Sequence, residues 1–169
     1  MSKSLGNFFT LRDLVLKGHK PSSLRYLLAS VPYRTQLNFT FSGLKQAAES
    51  VQRLRNFQLR LTTAQFPAGA NPELAALAQQ TIDKIRAALE DDLNTAQAQA
   101  AIFEMVRQAN AAADANQMKQ EDVPLLLNAL EKFDEIFAVL KDDDEPKIQR
   151  IIEWAEAEGK LENASNELV

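Results

Sequence analysis

Apolar residues recur along most of this chain at spacings of three and four, the period of an α-helix with one buried face. Thr10 can cap a first short helix over Leu11 to Lys17, with Leu11, Leu14 and Val15 inward and Gly18 as its stop. Pro21 suits the first turn of a second helix. Its predicted stripe is Leu24, Leu27, Leu28 and Val31, Pro32 ends it, and Tyr26 is expected to pack its ring while keeping its hydroxyl in water. Tyr33 to Phe41 alternates weakly and reads as an extended connector. A long helix is predicted after Ser42, running to about Ala64, with Leu44, Ala47, Val51, Leu54 and Leu61 on one side.

Phe66 to Ala70 is loop by composition, and Asn71-Pro72-Glu73 is a helix start with a capping side chain, a first-turn proline and an early carboxylate. Leu74, Leu77, Thr81, Ile85 and Leu89 carry that helix to the break at Glu90 to Thr95, which also supplies the next cap. Ala98, Ile102, Met105 and Ala109 mark the following helix. After Asp122 the stripe of Val123, Leu126, Leu127, Leu130, Phe133, Phe137 and Leu140 predicts a core helix. The acidic run Asp142 to Glu145 with Pro146 starts a last one, carrying Ile148, Ile151, Ile152 and Trp154 as far as Gly159. The expected fold is all-α, with six or seven helices: a loop over 1–10, a short helical region and connector over 11–41, and an antiparallel bundle over 42–169.

Composition narrows the chemistry. The 169 residues include no cysteine and one histidine, His19, so disulfides, thiol chemistry and a zinc site are excluded within this chain, and no metal site is expected. The longest apolar runs, such as Leu125-Leu126-Leu127, are too short to cross a bilayer, and with no leader pattern at the start a cytoplasmic location is the expectation. Charge is uneven: residues 1–60 hold ten Lys/Arg against Asp13 and Glu49, while residues 61–169 hold nine against twenty-one acidic residues. A basic first third fits a surface that meets phosphates, or basic and acidic segments that pair with one another. Lys45, Arg53 and Arg60 fall on one face of the long helix, as a phosphate-tracking stripe or as a solvated outer face. Asp91 and Asp92 are adjacent, which rarely aims two carboxylates at one substrate, so capping and the helix dipole explain them better than acid–base catalysis.

The densest candidate chemistry lies in the first ten residues. Lys3 stands between Ser2 and Ser4, near Gly6: a mobile ammonium with hydroxyl and backbone donors, suited to a polyphosphate. Met1-Ser2-Lys3-Ser4 followed by Leu5-Gly6-Asn7-Phe8-Phe9-Thr10 resembles the Lys-Met-Ser-Lys-Ser signature loop of class I aminoacyl-tRNA synthetases in its cysteinyl-tRNA synthetase form. Similar blocks follow in family order: Lys17-Gly18-His19, Leu24 to Leu28, Tyr33-Arg34, Leu37 to Thr40, and Asp91-Asp92-Leu93-Asn94-Thr95.

The resemblance implies an enzyme that joins cysteine to its tRNA through a cysteinyl adenylate, using ATP. Lys3, with Ser2 and Ser4, would hold the ATP phosphates, and Lys3 would be the catalytic residue, stabilising charge as pyrophosphate leaves. The region 11–41 would be the stem-contact fold at the inner corner of the tRNA, and the bundle would be of anticodon-binding type, truncated before the family's C-terminal element. Arg12, Lys17, Arg25 and Arg34 are the candidates for tRNA backbone contact. The loop's leading lysine, a His-Ile-Gly-His motif and a cysteine-rich zinc site are all missing from this sequence. The resemblance therefore implies the C-terminal portion of a larger, monomeric parent, with Met1 internal to it, the zinc elsewhere, and the portion alone inactive. Two other readings remain open at this point: a ligase coupling cysteine to an amino sugar, and a helical interaction module without an enzymatic parent.

Overall fold

The computed structural model describes residues 9–160. Seven helices and no strand occur among them: α1 Leu11–Leu16, α2 Pro21–Leu28, α3 Phe41–Thr63, α4 Pro72–Glu90, α5 Thr95–Asp114, α6 Asp122–Phe137 and α7 Asp144–Ala157. The fold is thus all-α, as the periodicity requires. None of these helices is long and apolar enough to cross a membrane.

Helix starts follow local chemistry. Thr10 and Asp13 form a capping box on α1, Asp13 N–H donating to Thr10 Oγ1 at 3.2 Å and Thr10 N–H to Asp13 Oδ2 at 2.6 Å. Asn71 caps α4 through the Glu73 N–H, and Asn94 caps α5 through the Gln97 N–H. The long helix α3 starts earlier than Ser42. Its cap is Thr40, whose extended backbone lets Oγ1 accept from the Gly43 N–H at 3.0 Å. Gly43 permits this approach, since a Cβ there would lie 3.1 Å from Thr40 Oγ1.

Two expectations about α2 are corrected. The helix ends at Leu28, well before Pro32, and the Gln99 side chain on α5 donates to the carbonyl of the capping residue Ala29 at 3.0 Å. Leu28, the last residue of the helix, is 62 % exposed rather than buried, and Val31 sits beyond the helix, half-buried. Tyr26 also departs from expectation: its side chain is buried, and its hydroxyl meets Ser50. Burial, opposed by that hydrogen bond and by the Arg53 charge, pushes the phenol up to about 12.

The core runs through α3 to α6. Leu54, Ile102, Leu126 and Phe133 are fully buried, and the Phe133 and Phe137 rings stack at 4.1 Å. Burial of each such side chain contributes roughly 1.5–3 kcal/mol. On α4 the buried face sits slightly off the predicted stripe, taking Ala78 and Ala88 while Leu77 and Leu89 are half-buried, because α4 packs on both α5 and α6.

Buried polar groups fix the connections. Asp122, wholly buried at the first turn of α6, accepts from the Asn71 and Lys119 N–H groups at 2.8 Å each. The chain leaves α6 through Ala138, which is left-handed at φ 50°, and Asp134 accepts from the Val139 and Leu140 N–H groups beyond it. Helix α7 then returns to pack on α1 and α2.

At that return sits Arg55, 8 % exposed. It donates to the Val139 and Lys141 carbonyls and to the carboxylates of Asp142 and Asp144 at 2.9–3.1 Å. Lys20, at the start of α2, has no capping oxygen. Asp144 takes that role, accepting from Ser22 N–H at 2.8 Å and Ser22 Oγ at 2.7 Å. Burial would raise the Asp144 pKa, but the Ser22 hydrogen bonds and the Arg55 guanidinium outweigh it and hold the carboxyl below its ordinary range.

Candidate nucleic-acid interface

Ser2, Lys3 and Ser4 lie outside the described residues. The candidate cations that follow them are distributed over α1, α2 and the connector, and the structure gives each a different setting.

Arg12 is on the exposed side of α1, opposite buried Leu14 and Val15. Its guanidinium lies 4.0 Å from the Trp154 ring centroid on α7, a cation–π contact, and Lys160 Nζ is 4.8 Å from the same ring. Lys17, at the other end of α1, places Nζ 5.6 Å from the Phe9 ring. Phe9 belongs to an aromatic cluster centred on Phe41, with Phe9, His19 and Phe39 at 5.6–5.8 Å. Burial first, then the Lys17 charge, lowers the His19 pKa, so the imidazole is neutral at pH 7 and adds no charge to this surface.

Arg25 faces inward. Its Nε donates to the Phe137 carbonyl and one Nη to the Ile136 carbonyl at 3.2 Å, at the C-terminal end of α6. A guanidinium there satisfies the helix's last carbonyls and complements its dipole. Arg34 is the opposite case, with 70 % of its side chain exposed. Its Nε donates to Tyr33 Oη at 2.7 Å, and Nη2 lies 3.2 Å from Asp92 Oδ1.

The face of α3 predicted to be basic divides. Arg60 donates to Asn110 at 2.8 Å and pairs with Asp114 at 2.6 Å, and Arg53 lies 5.4 Å from the Phe103 ring. Lys45 is exposed. The N-terminal cations are thus partly neutralised by the acidic remainder and partly left on the surface.

Asp91 and Asp92 do not converge on a common point: Asp91 ends α4, while Asp92 turns left-handed at φ 53° toward Tyr33 and Arg34. No group of three His, Cys, Asp or Glu among the described residues could hold a metal ion. A cavity of about 270 Å³ opens between α2 and α3, lined by Lys20, Ser22, Glu49, Gln52 and Arg55 among others. Its strongest donor, Arg55, is already taken by Asp144 and Asp142.

Sequence reasoning missed Arg55 and its partners. The signal was present, since Arg55 falls four residues after Val51, inside the apolar stripe. A cation there requires a buried partner.

Two family profiles match the chain. The one described as tRNA synthetases class I (C) catalytic domain covers residues 1–49, and the DALR domain, a helical anticodon-binding type, covers 84–141. Similar proteins include the cysteine–tRNA ligase of Koribacter versatilis, 62 % identical over 167 residues, which is 99 % of this chain and 34 % of that protein. Those of Solibacter usitatus and Protochlamydia amoebophila are 51 % and 43 % identical over 83 % and 85 % of this chain, and 30 % of each relative. The chain thus spans about a third of the length of these curated relatives. Identity at this level runs from the catalytic-domain match through the DALR match, and the chain belongs to the cysteine–tRNA ligase family.

Proposed function

We propose that this chain serves the ATP-dependent attachment of cysteine to its tRNA through a cysteinyl adenylate. It would supply the loop that meets the ATP phosphates and a helical surface that receives the tRNA. The observation that carries this reading is the 62 % identity with a cysteine–tRNA ligase over 99 % of the chain. Lys3 is the catalytic group, holding the β and γ phosphates and the charge that develops as pyrophosphate departs, with Ser2 and Ser4 shaping the loop. Arg12 and Arg34, both exposed, and half-buried Lys17 contact the tRNA backbone. Arg25 serves that surface indirectly, by holding the end of α6 against α2.

The zinc implied by the family resemblance does not fit here: the chain has no cysteine, and its described residues gather no ligand set. No step is assigned to it. The working form is taken as a monomer in the cytoplasm.

Replacing Lys3 with alanine in the full-length protein should slow cysteine-dependent ATP–pyrophosphate exchange at least about tenfold, equivalent to ~1.4 kcal/mol of transition-state stabilisation. Its affinity for tRNA should change little, and an unaltered exchange rate would overturn the assignment.

A further inference from the structure

Two sequence blocks distant in the chain, Tyr33-Arg34 and Asp91 to Thr95, meet in space. Tyr33 Oη donates to Asp92 Oδ1 at 2.9 Å, Arg34 Nε donates to the same Tyr33 oxygen at 2.7 Å, and Arg34 Nη2 pairs with Asp92 at 3.2 Å. The Arg34 guanidinium carbon lies 5.3 Å from the Tyr33 ring, and Thr95 Oγ1 reaches the Val31 carbonyl at 3.3 Å.

The turn that presents Asp92 is strained. Asp92 and Leu93 are both left-handed, at φ 53° and 54°, and neither is glycine. Such residues are disfavoured for L-amino acids, and two in succession persist only where surrounding contacts hold them. Here the turn closes on itself, Leu93 N–H donating to the Leu89 carbonyl at 3.1 Å and Asn94 N–H to the Ala88 carbonyl at 2.8 Å, and it presents the Asp92 side chain to Tyr33 and Arg34. Arg34 has five N–H donors. Nε and Nη2 are engaged on one edge, Nη1 makes no hydrogen bond among the described residues, and the side chain is 70 % exposed.

We propose that Tyr33 and Asp92 are positioning residues that hold the Arg34 guanidinium in a fixed plane for bidentate contact with an RNA phosphodiester. The Tyr33 hydroxyl is a relay: its proton goes to Asp92, which directs a lone pair at Arg34 Nε. Fixing a side chain that would otherwise sample many rotamers removes an ordering cost from binding. Asp92 opposes an approaching phosphate by charge, but it is 55 % exposed and therefore screened. The inference rests on the tRNA-binding reading of Arg34 and adds what aims that residue.

The test measures affinity of the full-length protein for a cysteine-specific tRNA transcript across a salt series. Arg34→Ala should weaken binding and reduce the salt slope by about one. Tyr33→Phe keeps every charge and should weaken binding about three- to fivefold, the scale of an exposed charge-assisted contact. The double variant should bind no worse than Arg34→Ala alone, and Asp92→Asn should weaken binding despite removing a negative charge. If Arg34→Ala weakens binding while Tyr33→Phe does not, or if their effects add, positioning is overturned and the role of Arg34 stands. Tighter binding by Asp92→Asn makes Asp92 a competitor for Arg34 and overturns its part. No effect of Arg34→Ala overturns the tRNA reading of that residue and the inference with it.

Discussion

Arg55 and Arg34 carry the same guanidinium and the same kind of partner, an aspartate at hydrogen-bonding distance, yet they sit in opposite surroundings. Arg55 is 8 % exposed, with Asp144 at 2 %; Arg34 and Asp92 are 70 % and 55 % exposed. In the first pair every nitrogen of the arginine is matched to a carbonyl or carboxylate, and the network joins α2, α3 and the start of α7. In the second, one edge is held and the other is left to solvent. Attraction between buried charges is offset by the loss of hydration, so such a pair fixes one arrangement more than it adds stability. An exposed pair contributes little to folding and leaves its charge available to a partner. Where the guanidinium sits, rather than which residue answers it, separates a fold-holding arginine from a ligand-facing one.

The largest effect that can break this contrast comes from cutting the buried pair. Arg55→Ala leaves Asp144 desolvated and unpaired, and should cost about 3–5 kcal/mol in urea denaturation, against under ~0.5 kcal/mol for Arg34→Ala. Similar losses at the two sites would mean that burial does not divide the two arginines as described.

A smaller effect sharpens the same point through pH. Because the folded-state pKa of Asp144 is depressed, its stabilising contribution is full above the unfolded value near 3.8 and is lost as pH falls through the lower folded value. The stability advantage of the native protein over Asp144→Asn should therefore be constant from about pH 7 to 5 and shrink below about pH 4. A constant advantage down to pH 2 would show that the carboxylate's charge is not what Arg55 and Ser22 hold.

How much of this was legible beforehand follows from the range of each interaction. Helical period alone placed Leu44, Val51, Leu54, Ala98, Ile102, Met105 and Phe133 in the core, because a stripe is a local property of one helix. Caps were readable where the side chain bonds within three residues, as at Thr10 and Asn71, though Thr40 rather than Ser42 opens α3 because Gly43 admits it. What could not be read was pairing at long range. Arg55 was visible as a cation in an apolar stripe, but nothing local selects Asp142 and Asp144, 87 and 89 residues on, over Asp143 between them. Likewise Asp92 looked like a helix-end carboxylate until the backbone turned left-handed and aimed it at Tyr33. Arg25 was one exposed cation among several in the sequence, and only the packing of α2 against the end of α6 shows where its donors go.

The most direct test of the account measures tRNA affinity against salt for the full-length protein with Arg12, Lys17 and Arg34 all changed to glutamine. Each phosphate contact contributes about 0.7–0.9 to the slope of log affinity against log salt, so the slope should fall by about two while the protein stays folded. A slope indistinguishable from that of the unaltered protein would contradict the account, since those three cations would then have been facing something other than RNA.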